Sequence, residues 1–340
     1  MTVRFAAIGL DHRHIYDLTA GLIAAGATCA GHCPVTSDPR VLEGFRKRFP
    51  DVPALARERM MDDPAIAFVV SAAIPSDRAA LAMAAMRRGK DVMLDKPGII
   101  RAADLAAVER TIAETGRILS ICFSERLTSP VTGLALRMVA GGAIGRVIQV
   151  VGLGPHRLNR ALRPAWFFDV AATGGILADI GSHQIDSFLA FSAAQDAEIV
   201  ASTVANMATP ANPLFEDFGE ILLKTGHTAG YARLDWFTPD GLPSWGDGRQ
   251  VILGTDGTIE LRKNVDIAGR HGGNHLFLVD RHATRHIDAG NEPVTYFAAF
   301  LHDVLHRTET ASPQAHMLTV TRLALEAQAR AERRNLPAAP

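Results

Sequence analysis

The sequence predicts an α/β chain of two domains: a doubly wound parallel sheet of the Rossmann kind over residues 1–122, then an α+β domain on a large, mostly antiparallel sheet over 123–340. Three observations predict this. Strand-like apolar runs and helix-like periodicity alternate through the first third of the chain. After about residue 123, strands follow one another with few helices between them. The length of 340 residues, 48% of them hydrophobic, suffices for two ordinary cores.

In chain order, Val3–Ile8 is apolar and ends at Gly9, which predicts the first strand, and Ile15–Ala25 has helical spacing up to Gly26. Ala27–Cys33 predicts a second strand and Val41–Phe49 a helix. Ile66–Ala73 is almost continuously apolar, as a parallel strand covered on both faces must be. A helix over 76–88 leads to a short strand at 91–94. Leu105, Val108 and Ile112 share a helix face within Ala102–Glu114, which Gly116 can cap, and Ile118–Phe123 is the next strand. Such β–α repetition implies right-handed crossovers. Beyond it, Val131–Ala140 and Gly174–Phe191 predict helices. Strands are expected at Val147–Gly152, Glu198–Ala205, Glu220–Thr225, Ala229–Phe237, Val251–Gly254 and Thr258–Arg262. Thr255-Asp256-Gly257 predicts a hairpin turn with positive φ. Helices return at Val294–Arg307 and Gln314–Arg333, and the 338–340 tail reads as frayed.

Charge excludes some classes of partner. A net charge of −1 gives no global attraction to nucleic acid or to an anionic membrane. There is no apolar run of about 18 residues, and the amino terminus leads into a strand without a signal-peptide pattern. Cys29, Cys33 and Cys122 are too few for a disulfide framework and are expected as reduced, buried thiols of a cytoplasmic protein.

Two elements carry chemistry. In Gly174–Asp186, Asp179, His183 and Asp186 fall at i, i+4 and i+7, one face of a helix, where an imidazole between carboxylates can exchange protons near neutral pH. The spacing alone equally fits a solvated charged edge. The second element is Asp95-Lys96-Pro97. Pro97 cannot continue a sheet ladder, so Lys96 stands at the carboxyl end of its strand, where open α/β sheets bind ligands. By itself it equally fits an exposed turn lysine.

Together with Val3–Gly9, Phe68–Pro75, Gly89-Lys90, Gly141–Val147 and Arg163-Pro164-Ala165-Trp166-Phe167, these elements resemble the Gfo/Idh/MocA family of nicotinamide-dependent oxidoreductases. The family is named for glucose-fructose oxidoreductase and inositol dehydrogenase, and the resemblance runs over most of the chain. It implies a catalytic Lys96 (the family usually has Glu-Lys-Pro here) with Asp179 and His183 as the second-domain pair. It also implies an NAD or NADP cofactor, a sugar or polyol substrate, and a homodimer or homotetramer formed through the open face of the second-domain sheet. Gly9, Leu10, His12, Arg13, His14, Thr36, Ser37, Ala73, Pro75, Asp95 and Lys96 are the implied cofactor-binding residues.

The dinucleotide pattern is broken in two places. In Gly9-Leu10-Asp11-His12-Arg13-His14, Asp11 and His14 replace the second and third glycines of the fingerprint. Asp11 brings negative charge toward the phosphates unless it turns away, and Arg13 with the helix amino terminus can offset it. The acidic residue that normally ends the second strand is replaced by Pro34, with Asp38 four residues late. Thr36, Ser37 and Arg40 would tolerate a 2′-phosphate, a slight lean to NADP over NAD. His12 and His14 with Asp11 and Asp17 lack partners at motif spacing, so no metal is expected; the His271/His275 and His282/His286 pairs are expected as surface or hydrogen-bonded histidines.

Arg157, Arg163 and Trp166 read either as a clamp for an anionic group on the substrate or as a solvated basic loop, and Asp186 as an orienting or substrate-contacting residue. The expected reaction is hydride transfer between nicotinamide and a secondary alcohol or ketone. The alternatives are a non-catalytic ligand sensor of the same fold, or a lyase or hydrolase using tightly bound NAD for transient oxidation.

Overall fold

The computed structural model describes residues 2–334; the 338–340 tail lies outside them. The first part runs β1 (Arg4–Leu10), α1 (His14–Ala24), β2 (Thr28–His32), α2 (Pro39–Arg48), α3 (Arg57–Asp62), β3 (Phe68–Ala72), α4 (Pro75–Arg87), β4 (Asp91–Asp95), α5 (Ala102–Thr115) and β5 (Leu119–Cys122). Then come α6 (Ser124–Leu127), α7 (Pro130–Ala140), β6 (Val147–Pro155), α8 (Val170–Thr173), α9 (Ile176–Asp179) and α10 (Gly181–Ser192). They are followed by β7 (Glu198–Ala205), β8 (Phe218–Lys224), β9 (Ala229–Asp235), β10 (Arg249–Gly254), β11 (Gly257–Arg262), β12 (His275–Asp280) and β13 (Thr284–Asp288). The chain closes with α11 (Tyr296–His306), α12 (Gln314–Arg330) and β14 (Glu332–Arg334).

β1–β5 form an all-parallel sheet in the order β2-β1-β3-β4-β5. Every residue of β3, β4 and β5 is buried, as strands covered on both faces require. The order reverses between β1 and β3, which makes the carboxyl ends of those strands a topological switch point, the place where such sheets bind ligands.

The second sheet has nine strands in the order β13-β12-β11-β10-β6-β9-β8-β7-β14, with parallel pairs only at β6–β9 and β14–β7. α9 and α10 pack against one face of it. On the other face, Leu222, Val251, Leu253 and Val279 stay exposed. The β10–β11 hairpin forms at Thr255-Asp256-Gly257, but without positive φ at any of its residues. The glycine is needed there because a Cβ would lie 2.4 Å from the Val279 carbonyl oxygen of β12.

The chain divides into two compact units, the first comprising mainly residues 1–122 and Thr295–Thr321, the second most of the rest. The sequence predicts that everything after residue 122 belongs to the second domain. The structure instead returns 295–321 to the first unit, with α12 divided at Thr321. Tyr296 Oη lies 2.7 Å from Ser120 Oγ, Phe300 meets the Phe68 ring edge-on at 5.1 Å, and the Arg307 guanidinium donates to Asp91 at 2.6 Å.

Candidate active site

In the first unit the site grows from the turn after β1. Gly9 has φ +78°, and a Cβ there would lie 2.5 Å from Ala73 Cβ and 2.8 Å from Ser71 Oγ, so the turn is as tight as a dinucleotide loop demands. Asp11 turns away: its Oδ1 accepts from Ser37 N (2.5 Å), Ser37 Oγ (2.7 Å) and Thr36 Oγ1 (3.1 Å), tying the loop to the segment after β2. Thr36 Oγ1 also donates to the Leu10 carbonyl at 2.7 Å. The N-cap of α1, Arg13, makes no side-chain cap bond, but the first amides are engaged within the loop, His14 N by His12 Nδ1 at 3.4 Å and Ile15 N by the His12 carbonyl at 3.2 Å. With the carboxylate withdrawn, the tight Gly9 turn and the positive end of the α1 dipole fit a pyrophosphate despite the missing glycines.

Asp38 is not placed to bind a ribose. It is the N-cap of α2, accepting from Arg40 N at 3.1 Å, and holds the Arg40 guanidinium through two further bonds at 3.0 Å. Arg40, the basis for favouring a 2′-phosphate, is thereby engaged by a carboxylate. These residues do not discriminate NAD from NADP.

Lys96 follows β4, at the carboxyl end of the strand that the sequence predicts there, and is buried, unlike an exposed turn lysine. Its neighbourhood is built by Arg78, a fully buried arginine of α4 that sequence reasoning misses. Arg78 Nε donates to the Ala73 carbonyl (2.7 Å), Nη1 to the Asp95 and Pro97 carbonyls (2.7 and 2.8 Å), and Nη2 to Asp95 Oδ2 (3.2 Å). One guanidinium thus fixes the backbone on both sides of Lys96 and at the end of β3. A lone arginine in the alanine-rich first turns of α4 was its only sequence signal.

Asp95 also meets both loop histidines, His14 Nδ1 at 2.9 Å and His12 Nδ1 at 3.4 Å. Burial works against its ionisation, but His14, Arg78 and His12 outweigh burial and hold the carboxyl well below its usual range. His12 is lowered to about 4, by burial first and by His14 second, so it is neutral at pH 7. The His12, His14 and Asp95 ligand atoms lie within 4.8 Å of one another, the one such trio among the described residues. Arg78 against the same carboxylate supplies the positive charge a metal would bring. Sequence spacing offered His12 and His14 no further ligand; folding brings Asp95 to them as a third ligand-type group.

In the second unit, Gly174 and Gly175 have φ +86° and +84°, the conformation that lets the chain enter α9. Buried Glu216 caps that entry, accepting from Ile176 N at 3.0 Å, while Gln328 Oε1 accepts from Leu177 N at 3.1 Å. The run Asp179–Asp186 crosses from α9 into α10. Asp179 is half-buried, His183 is buried, and the His183 ring lies edge-on to Phe123 at 6.4 Å. Of the two readings of Asp186, contact with substrate is the one the structure corrects. Asp186 is fully buried and gripped bidentately by Arg126 (2.6 and 2.7 Å), a structural pair that leaves no face for substrate.

The two arginines read as an anion clamp are also corrected. Arg157 Nη2 donates to the Pro239 and Leu242 carbonyls (2.8 and 2.5 Å). Arg163 Nε donates to the Leu158 carbonyl (2.8 Å), and its guanidinium lies 4.3 Å above the Phe167 ring. Arg157 ties its segment to the loop after β9, and Arg163 holds its own loop. Trp166 remains, with its indole Nε1 buried and lacking a hydrogen-bond partner.

Beside His183, Gln184 Nε2 donates to Glu125 Oε2 at 3.1 Å, and Lys263 Nζ donates to the same oxygen at 2.9 Å. This buried polar group escapes sequence reasoning because its members come from α6, α10 and the end of β11.

Residues 134–260 match the model of the GFO/IDH/MocA C-terminal domain. A crystal structure of a provisionally assigned oxidoreductase from Erwinia carotovora atroseptica SCRI1043 is 44% identical, covers 98% of this chain and 99% of its own, and superposes with a TM-score of 0.94. The scyllo-inositol 2-dehydrogenase (NAD(+)) of Bacillus subtilis strain 168 is 24% identical over 82% of this chain and 80% of its own length. Levoglucosan dehydrogenase of Pseudarthrobacter phenanthrenivorans is 30% identical over 37% of this chain and 33% of its own.

Proposed function

The chain belongs to the GFO/IDH/MocA family of oxidoreductases, and from that premise we propose an NAD(P)-dependent dehydrogenase acting on a secondary alcohol or ketone of a sugar, polyol or sugar-derived substrate. The observation that carries the reading is Lys96, buried at the carboxyl end of β4 on a backbone that Arg78 fixes from both sides. The named dehydrogenases among the relatives support the reaction class.

Gly9, Leu10, His12, Arg13, His14, Thr36, Ser37, Ala73, Pro75 and Asp95 would hold the dinucleotide, which when bound supplies the hydride acceptor or donor. Lys96 hydrogen-bonds the reacting oxygen and stabilises its alkoxide character. His183 takes the hydroxyl proton, a task that suits an imidazole at neutral pH. Asp179, one turn earlier, orients the substrate and the imidazole. The buried thiols, with Cys29 pushed up to about 12 by burial, support a cytoplasmic enzyme. The exposed apolar rows of the nine-stranded sheet support a homodimer or homotetramer.

The test is titration with NAD⁺, NADH, NADP⁺ and NADPH by calorimetry, then a polyol and sugar screen by nicotinamide absorbance. Binding of one redox pair with turnover is expected; Lys96→Ala and His183→Ala should each lower turnover about 10²–10⁴-fold with little change in melting temperature. Full turnover in both variants refutes the roles assigned.

A further inference from the structure

Two departures from the dinucleotide pattern meet at one place in the fold. The second fingerprint glycine is replaced by Asp11, and the acid that normally ends the second strand is replaced by Pro34. In such sheets that acid accepts the 2′-hydroxyl of the adenosine ribose, whereas an arginine nearby accommodates the 2′-phosphate of NADP. Folding carries the Asp11 carboxylate across to the segment that follows Pro34. Its Oδ1 accepts from the Ser37 amide at 2.5 Å and from the Ser37 hydroxyl at 2.7 Å. The Asp11 backbone is fixed from the other side, since the amides of Asp11 and His12 both donate to the Ala72 carbonyl of β3 (3.3 and 3.0 Å). The loop after β1 thus supplies the carboxylate that the end of β2 lacks.

The same contacts occupy the donors that a 2′-phosphate would need. A phosphate monoester carries a charge of about −1.5 to −2 at pH 7 and is held by N–H and O–H donors together with cations. Ser37 gives both of its donors to Asp11. Thr36 has one hydroxyl proton, shared between the Leu10 carbonyl at 2.7 Å and Asp11 Oδ1 at 3.1 Å. The Arg40 guanidinium is bound through two nitrogens to Asp38, and Arg13 stands in the field of that same carboxylate. Asp11 and Asp38 balance Arg13 and Arg40, so a dianion brought here would meet carboxylates with no surplus of positive charge from these residues. A ribose hydroxyl makes the opposite demand. It donates, and a half-buried carboxylate has acceptor capacity beyond the contacts that Asp11 makes through Oδ1.

We propose that Asp11 selects the cofactor: its carboxylate, held by Ser37, accepts the adenosine 2′-hydroxyl in place of the missing strand-end acid and excludes a 2′-phosphate by repulsion and by occupying its donors. The protein is accordingly selective for NAD. That reverses the lean to NADP which Thr36, Ser37 and Arg40 suggest in sequence, because folding commits all three to carboxylates or to a carbonyl of the loop. This selectivity rests on the dehydrogenase reading for the presence of a dinucleotide, but its test is binding and needs no turnover.

Calorimetric titration with NAD⁺ and NADP⁺ compares the full-length wild type with Asp11→Asn and Asp11→Gly, each checked by thermal melting. The wild type should bind NAD⁺ about tenfold or more tighter than NADP⁺, the worth of one hydrogen bond to a charged group. Asp11→Asn removes the charge at constant shape and should lower that ratio about tenfold, weakening NAD⁺ and strengthening NADP⁺. Asp11→Gly restores the fingerprint glycine and releases both Ser37 donors, so it should shift the ratio in the same direction, and it carries the test if Asp11→Asn melts early. A carboxylate that merely ties the loop together would behave differently, with both dinucleotides weakened alike and their ratio kept. An unchanged ratio in the folded variants, or a wild type that binds NADP⁺ as tightly as NAD⁺, overturns the selection by Asp11 and leaves the dehydrogenase standing. Failure of the wild type to bind either dinucleotide overturns both.

Discussion

His12 stands between Asp11 and His14, which replace two fingerprint glycines, and its surroundings make a definite prediction about pH. Burial and the neighbouring His14 lower its pKa to about 4, against 6.5 for an unperturbed imidazole. Between those values the unfolded chain binds a proton that the folded one refuses, so folding stability rises with pH across that window and is lost on acidification through it. Urea denaturation between pH 4 and 7 should show this slope, and His12→Gln should flatten it; imidazole NMR should place the His12 titration near 4. An ordinary titration near 6.5 would mean the imidazole is solvated and the Asp95 support is not formed. At this scale the sequence discloses Lys96 and His183, whose neighbours in the chain identify them. It hides Arg78, Glu125 and Lys263, whose partners lie 17, 59 and 138 residues away and become neighbours only through folding.

The elements repeat that distinction. The central strands β3 and β4 are legible because buried parallel strands carry apolar runs, Phe68–Val70 and Val92–Leu94. β13 is not, since four of its five residues are exposed and no face alternates. The entry to α9 was legible as a glycine pair, but the reason for the pair appears only in space. Gly175 sits at φ +84°, ψ 170°, a region essentially restricted to glycine, and a Cβ there would lie 2.4 Å from Gln328 Nε2 and 2.5 Å from Glu216 Oε2. Gly175→Ala should therefore destabilise the protein by about 1–3 kcal/mol from backbone strain, with about 1 kcal/mol more if Glu216 loses its cap on Ile176. Chemical denaturation measures the sum. Turnover should fall as well, because Asp179 and His183 take their positions from this entry.

At the scale of the whole molecule, the nine-stranded sheet is covered by helices on one face and presents apolar side chains on the other. Val251 lies opposite Val151, which pairs along the next strand with Tyr231, which in turn faces Leu222; Leu253 and Val279 lie in the adjoining row. Val251, Leu253, Leu222 and Val279 are 37%, 39%, 43% and 46% exposed, a connected stripe where isolated apolar residues would need no explanation. Nothing in the composition announces it, because alternation in an antiparallel strand reads the same whether its second face meets water or another chain. With a net charge of only −1, long-range repulsion does not oppose association of two copies. A second copy seated on this face would remove the stripe from water, and two lysines there would leave buried charges without partners. Light scattering coupled to gel filtration should find a dimer or tetramer for the wild type and a monomer for Val251→Lys/Leu222→Lys, with the far-ultraviolet circular dichroism unchanged. Because Val251 faces away from the side of β10 that α10 covers, the monomeric variant should keep the melting behaviour of a folded second unit.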